Sequence, residues 1–172
     1  MKKRVQPSQV EKVMRDDDFI VSKTDIQGRI TYGNLTFQQF SGYPEQELLG
    51  APHNIIRHPD MPRGIFKYVW DELVKGNDVV AYVKNMAADG SFYWVYANMT
   101  PSYDEAKKVI GYYSVRRAPR REGVKIIETI YRQMCAEESK VAIAAQPEVS
   151  LKIFKQMLAE KGVSYEDFVL SI

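Results

Sequence analysis

The sequence lacks several features that mark common classes of protein. Its 172 residues include one cysteine, Cys135, which excludes an internal disulfide and favours a reducing compartment. No run of about eighteen apolar residues occurs, and the basic residues 1–4 are not followed by an apolar signal region. The formal net charge of +2 is too small to favour nucleic acid or an anionic membrane surface. These absences predict a cytoplasmic protein that neither inserts into a membrane nor binds nucleic acid.

Motifs of the common catalytic sites are also missing. The chain has no glycine-rich phosphate loop and no Cys-x-x-Cys pair, and its two histidines are His53 and His58. Two histidines do not make a zinc site by themselves, although a carboxylate such as Asp60 could complete one. A dyad of Cys135 with His58 would have to join the tail of the chain to its middle, which we do not favour. The sequence predicts a binding or sensing protein and not an enzyme.

The segment 53–62 concentrates ionisable groups within a more apolar region. Both histidines lie here together with Arg57 and Asp60. Pro59 and Pro62 prevent one helix from running through the segment, because proline lacks an N–H and restricts the residue before it. Short turns with polar side chains and free backbone donors are typical of a cavity wall. The alternative is a surface loop in which Asp60 caps the following helix.

The hydrophobic pattern predicts an α+β fold built on five strands. Strands are predicted at 19–23, 29–32, 79–86, 91–102 and 108–117, and helices at 9–17, 35–40, 44–49, 62–75, 124–135, 151–158 and 164–172. One curved antiparallel sheet with short helices on one face follows from this order. The predicted units are an N-terminal cap helix (1–17), a sensor domain (18–118) and a C-terminal helical extension (119–172).

Strand alternation separates a cavity face of the sheet from an outer face. Ala81 and Asn85 share one face of the third strand, and Ala97 lies on the matching face of the fourth. The small volume of the two alanines leaves room for a ligand under the helices. Trp94 and Tyr96 lie on the outer face, which we expect the N-terminal helix, a second copy or a partner protein to cover. Permanent burial of these rings within the monomer is the alternative.

Several segments resemble a PAS domain. They are Thr24–Asp25, Gly28–Asn34, Phe40–Tyr43 and Glu47–Gly50. A more specific block comprises Pro52–Pro62, Val83–Asn85, Gly90, Tyr93–Val95 and Ala97–Asn98. This block closely resembles the FAD-binding PAS domain of bacterial aerotaxis receptors, and the resemblance covers residues 18–118.

The resemblance implies a non-covalently bound FAD and a set of cavity residues. The family's flavin contacts fall on Asn34, Arg57, His58, Asp60 and Asn85. In this interpretation Asn85 binds the pyrimidine edge, Arg57 binds the ribityl or pyrophosphate portion, and His58 follows the flavin's proton. Asp60 orients Arg57 or His58, or caps the long helix. Trp70 adds an aromatic wall, whereas Val79 stands where the family usually has a tryptophan.

The same resemblance implies a cytoplasmic redox and energy sensor for aerotaxis, a form of chemotaxis. The chain resembles the detached sensor half of a two-protein system that signals to a separate membrane chemoreceptor, and we expect a homodimer. The alternatives are a haem-binding PAS gas sensor with His53 or His58 as axial ligand, and a PAS interaction module without a cofactor. A flavin oxidoreductase is disfavoured, because no acid or base for a substrate stands out.

Overall fold

The computed structural model describes residues 5–172, and its centre is a five-stranded antiparallel sheet. The strands are β1 (Ile20–Thr24), β2 (Ile30–Gly33), β3 (Val79–Met86), β4 (Phe92–Tyr103) and β5 (Val109–Arg117). They lie in the order β2-β1-β5-β4-β3, so the N-terminal hairpin joins the C-terminal meander through β1 and β5. The predicted α+β fold with five antiparallel strands is confirmed.

Short helices connect the hairpin to the meander and cover the cavity face. They are α1 (Leu35–Ser41), α2 (Glu45–Leu48), a 3-10 turn over His53–Ile56, and the longer α3 (Arg63–Val74). Asn34 caps α1, because its side-chain oxygen accepts a hydrogen bond from the N–H of Phe37. Gly42 ends α1 with a φ of 69°, a conformation that glycine adopts without a steric penalty. Pro62 directly precedes α3, so the prolines of this segment separate helices as predicted.

The outer face of the sheet is covered by helices of the same chain. These are α4 (Arg121–Glu138) and α6 (Tyr165–Ser171), whereas α5 (Gln146–Lys161) packs against α3 and α4. The Tyr131 hydroxyl donates to the carbonyl of Tyr82 at 2.9 Å, and the Tyr165 hydroxyl donates to the carbonyl of Val80 at 3.0 Å. Trp94 is 4% exposed and stacks on Tyr131. The prediction that this face docks the N-terminal helix, a second copy or a partner is therefore wrong, because the amphipathic C-terminal helices bury it.

Helices α4 and α5 also cap the helix that roofs the cavity. Pro62 offers no side-chain acceptor to the first N–H groups of α3. The buried carboxylate of Glu138 accepts instead from the N–H of Arg63 at 2.6 Å and of Gly64 at 3.2 Å, and Ser150 donates to the same oxygen at 2.5 Å. The C-terminal extension thus fixes one wall of the cavity. Among the helices of the described chain, none is both long and apolar enough to cross a membrane.

The N-terminal strap, residues 5–19, contains no helix. Its backbone runs beside the start of β4, where the N–H of Phe92 donates to Val10 at 2.9 Å and the N–H of Lys12 donates to Phe92 at 2.7 Å. Val10 is 63% exposed, so it does not pack against the core as a residue of a covering helix would. The predicted cap helix is wrong, because pairing with a free strand end satisfies the backbone of this polar segment better than an unsupported short helix. Residues 1–4 of that prediction lie outside the described part of the chain.

Candidate ligand-binding site

A cavity of about 440 Å³ lies between the sheet and the helices on its inner face. Small-molecule sites commonly have volumes of roughly 300–1,000 Å³, so this cavity is large enough for a ring system. Its roof is the apolar face of α3, which contributes Phe66, Val69, Trp70 and Leu73. Its floor is formed by inward side chains of β3, β4 and β5.

The floor has the small side chains that the sequence predicts. Ala97 lines the cavity and is 2% exposed, and its partner across the β3–β4 ladder is the fully buried Ala81. Larger side chains at the centre of the sheet would reach toward α3 and fill the space. The cavity therefore depends on the small side chain of Ala97, and Ala81 lies beside it in the ladder without lining the cavity.

The mouth of the cavity is framed by Trp70 and the β1–β2 turn. Trp70 is 37% exposed and meets Tyr112 edge to face, with ring centroids 5.1 Å apart. A Cβ on Gly28, whose φ is 76°, would lie 3.2 Å from the Trp70 ring. Glycine is therefore favoured both by its backbone conformation and by the close approach of the ring. Trp70 lines the cavity, as its predicted role requires.

Arg57 and Asn85, two predicted site residues, meet in the cavity wall. Their backbones form an isolated antiparallel bridge, and both side chains line the cavity. The Arg57 guanidinium donates to the carbonyl of Met61 at 2.9 Å and lies 4.7 Å from the ring centroid of Phe66. Asn85 is 4% exposed, and its amide makes no hydrogen bond to any described residue. Its donor and acceptor remain available to a ligand.

His58 and Asp60, also predicted site residues, lie behind this wall and do not line the cavity. The N–H of Asp60 donates to Nδ1 of His58 at 3.1 Å, and the Asp60 carboxylate accepts from Lys84 at 2.7 Å. Burial, followed by the charge of Lys84, lowers the pKa of His58 to about 4, so the ring is neutral at pH 7. These contacts hold Asp60 against His58 and Lys84 within the segment that carries Arg57.

Asn34, the first predicted site residue, is committed to the fold. Its Oδ1 accepts from the N–H groups of Val21 and Phe37, each at 3.0 Å, and its Nδ2 donates to the carbonyl of Phe19 at 2.8 Å. It does not line the cavity. The side-chain amide of Asn34, which was predicted to contact a ligand, instead joins β1 to α1 through these hydrogen bonds.

Arg116 is a cavity residue that the sequence reasoning missed. It is 2% exposed, and its Nη2 donates to the hydroxyl of Ser22. Its Nε and Nη1 are buried without a partner, and no carboxylate of residues 5–172 forms an ion pair with it. Burial lowers its pKa to about 10, so the guanidinium is still protonated at pH 7. Strand alternation could have found it, since Arg116 lies on the same face of β5 as Ser114.

His53 lies beside Arg116 at the inner end of the cavity. Its Nε2 is 3.2 Å from the hydroxyl of Ser22, and its ring stacks on Phe37. Burial, followed by the positive charge of Arg116, lowers the pKa of His53 to about 3, so this ring is also neutral at pH 7. The inner end therefore carries one positive charge and no negative one among the described residues.

The described residues do not support a metal centre or a cysteine nucleophile. Residues 5–172 contain no group of three or more His, Cys, Asp or Glu side chains that could hold a metal ion. Cys135 donates to the carbonyl of Asp60 at 3.3 Å, and burial raises the pKa of its thiol to about 11. A thiol that is protonated at pH 7 does not suit nucleophilic chemistry.

Known proteins share both the sequence and the fold of this chain. The family model described as the PAS fold matches residues 30–116. The aerotaxis receptor of Escherichia coli strain K12 is 39% identical over 149 residues, which are 87% of this chain and 27% of that receptor. The bacterioopsin transcriptional activator of Halobacterium salinarum is 29% identical over 93 residues, which are 54% of this chain and 14% of that protein. The chain thus spans about a quarter of the receptor and less of the activator.

A solved structure extends the likeness to three dimensions. A light-oxygen-voltage domain, from a study of its mechanism with a flavin analogue, superposes with a TM-score of 0.57. The superposition covers 64% of this chain and 83% of that domain, at 22% sequence identity. At this identity the likeness concerns the fold. The two sequence relatives are a receptor and a regulator, which agrees with a sensor role for this chain.

Proposed function

Because this chain belongs to the PAS family and is related to the PAS region of an aerotaxis receptor, we propose that it is a redox and energy sensor that binds FAD in its cavity. One observation carries the proposal, namely an apolar cavity whose lining residues include unpartnered polar atoms. Thr24 Oγ1 and two nitrogens of Arg116 are buried without hydrogen-bond partners, and both residues line the cavity. Buried polar groups are normally satisfied, so these atoms favour a ligand with polar edges.

The donor set fits a flavin. An isoalloxazine ring has an apolar end and a pyrimidine edge with both carbonyl acceptors and a ring N–H. The free amide of Asn85 suits that edge, and Phe66 and Trp70 supply aromatic contacts from α3. Val79 is buried but does not line the cavity, so the start of β3 adds no aromatic wall. Bound FAD would supply reversible electron uptake, whereas the protein binds and orients it.

We propose FAD rather than FMN because of Arg57. Its guanidinium lines the cavity and keeps unused donors beyond the single bond to Met61, and a forked donor suits a pyrophosphate. Asp60 and Lys84 fix the segment from behind, so the guanidinium is held at the wall. Heating purified protein and separating the released cofactor by chromatography tests this assignment. Recovery of FMN or haem alone would contradict it.

An absorption spectrum separates the candidate functions most directly. Two flavin bands support the proposal, a sharp Soret band would support a haem sensor, and a bare protein spectrum would support a module without a cofactor. His53 is the cavity histidine that a haem could use, but its Nε2 already faces Ser22 at 3.2 Å. The geometry therefore favours the flavin.

We also propose that the sensor signals to a separate membrane chemoreceptor and acts as a homodimer. The support is its relationship to the aerotaxis receptor, of which the matched region is about a quarter. The outer sheet face is filled by α4 and α6, so a partner would have to contact other surfaces. Sedimentation of the flavin-loaded protein, alone and with detergent-solubilised chemoreceptor, tests both statements. A monomer that does not sediment with the receptor in either redox state would contradict them.

A further inference from the structure

We propose that the inner end of the cavity is an anion site, in which Arg116 binds the negatively charged part of the ligand and, with FAD, favours the reduced cofactor. The preference for reduced FAD rests on the proposed function. The anion site itself is argued only from the charges of the protein.

The first argument is the missing counterion. Arg116 is 2% exposed, and two of its three nitrogens have no partner among the described residues. Buried charges in proteins are normally paired, because their removal from water is costly. An unpaired guanidinium in a cavity wall is therefore a place where a ligand can supply the missing negative charge.

The second argument is the neutrality of everything that faces this guanidinium. The ring of Phe37 lies 4.8 Å from it, Ser22 accepts one of its hydrogen bonds, and His53 is neutral at pH 7. The nearby Tyr93 keeps its proton, because burial raises the pKa of its hydroxyl. No group on β1, β4, α1 or the 3-10 turn supplies a negative charge, so the ligand has to supply it.

Flavin chemistry shows which redox state has that charge. Oxidised FAD has a neutral isoalloxazine ring. At neutral pH its reduction takes two electrons from an external low-potential donor and one proton from water at N5, and it leaves one negative charge spread over N1 and the neighbouring carbonyl oxygen. A fixed positive charge binds this reduced ring more tightly than the oxidised ring. By thermodynamic linkage, Arg116 raises the midpoint potential of the bound cofactor.

The midpoint potential of flavin-loaded variants tests the redox half. Arg116→Gln removes the charge, and Arg117→Gln is the matched control, because Arg117 is exposed on the opposite face of β5 with its guanidinium 5.0 Å from the ring of Tyr96. We expect Arg116→Gln to lose at least a tenfold preference for reduced FAD, which lowers the potential by about 30 mV for a two-electron couple. We expect Arg116→Lys to fall between wild type and Arg116→Gln, and Arg117→Gln to match wild type.

Two results would overturn the redox half. One is an unchanged potential in Arg116→Gln that still carries FAD. The other is an equal loss of affinity for oxidised and reduced FAD, which would make Arg116 a general binding residue. Dissociation constants for both redox states, measured by titrating the apoprotein under anaerobic conditions, distinguish these cases.

The apoprotein tests the charge without any flavin. Arg116→Met removes the unpaired charge and leaves a shorter, unbranched apolar chain, so we expect apo Arg116→Met to melt at a higher temperature than apo wild type. An equal or lower melting temperature would overturn the anion site.

If wild-type protein binds no flavin, the proposed function fails. Higher melting of apo Arg116→Met would then still support an anion site for another ligand.

Discussion

At the scale of single residues, we expect Arg57 to contribute more to cofactor binding than to folding. It is half-buried, and its side chain makes one hydrogen bond, to the carbonyl of Met61. We expect the dissociation constant of FAD to be at least tenfold higher for Arg57→Ala than for wild type. The free energy of unfolding without cofactor should fall by only about 1 kcal/mol. Arg29→Ala is a matched control, because Arg29 makes a similar bond to the carbonyl of Gly50 at 3.0 Å outside the cavity. Equal flavin retention in the two variants would contradict the role of Arg57.

Asn85 is the residue that we expect to report the state of the ligand to the sheet. Its free amide can rotate to donate or accept, so its hydrogen bonds can change with the protonation of a flavin edge. We expect Asn85→Asp to weaken flavin retention and lower the midpoint potential, because a carboxylate only accepts and adds a negative charge. Asn98→Asp makes the same change on an exposed side chain of β4. If Asn85→Asp retains flavin and signals like wild type, the switch lies elsewhere.

The buried ring of His58 makes the stability of the fold sensitive to acid. The pKa of His58 is about 4 in the folded protein and about 6.5 when unfolded, so unfolding takes up a proton in this range. Stability is therefore complete above about pH 6.5 and falls as the pH drops toward 4, by roughly 3 kcal/mol for this group. His58→Asn keeps an acceptor for the N–H of Asp60 and does not titrate. Denaturant unfolding across this range should show a shallower pH dependence for the variant.

At this scale the sequence shows which residues have ligand-binding side chains better than it shows whether those side chains face the cavity. Arg57, Trp70 and Asn85 line the cavity as predicted. Asn34 and His58 do not, because backbone groups nearby use the same hydrogen-bonding capacity. A polar side chain that is hydrogen-bonded within the protein and one that is available to a ligand look the same in the sequence.

Among the elements, α3 depends on a cap from a distant helix. Glu138 accepts from the first two N–H groups of α3, which no local side chain satisfies. We expect Glu138→Ala to lower the free energy of unfolding by about 2–3 kcal/mol and to weaken flavin binding, because α3 roofs the cavity. Glu137→Ala is the control, since that neighbour pairs with Lys140 at the surface. Similar unfolding energies for the two variants would exclude the cap as a stabilising contact.

Strands and helices with strong periodicity are predicted well, and the N-terminal strap is not. The boundaries of β3, β4 and β5 agree with the pattern to within about two residues, which is the usual uncertainty of an element end. The strap has spaced apolar residues typical of a short helix, but it pairs with β4. Such pairing depends on a free strand end that is distant in sequence, so local periodicity does not contain it.

At the scale of the whole molecule, the outer sheet face is core. Trp94 is 4% exposed under α4, whereas Trp70 at the cavity mouth is 37% exposed. We expect Trp94→Ala to lower the free energy of unfolding by about 3–5 kcal/mol, and Trp70→Ala to affect flavin retention more than folding. Guanidinium unfolding of both apoproteins measures this. A Trp94→Ala variant with normal stability would restore the view that this face is a docking surface. The aromatic pattern alone did not distinguish burial by the same chain from burial by a partner.

The strand order has a consequence for the time at which the cavity can form during synthesis. β1 pairs with β2 in the N-terminal hairpin, but its other edge pairs with β5, where Ile20 lies opposite Arg116, a residue made almost a hundred residues later. Closing so long a loop is slow, and it precedes the contacts that reward it. Helix α3, which roofs the cavity, is completed later still, because Glu138, which caps it, follows the last strand of the sheet. A nascent chain therefore has no complete pocket while its N-terminal half is being made, and we expect any ligand to bind only after most of the chain has left the ribosome.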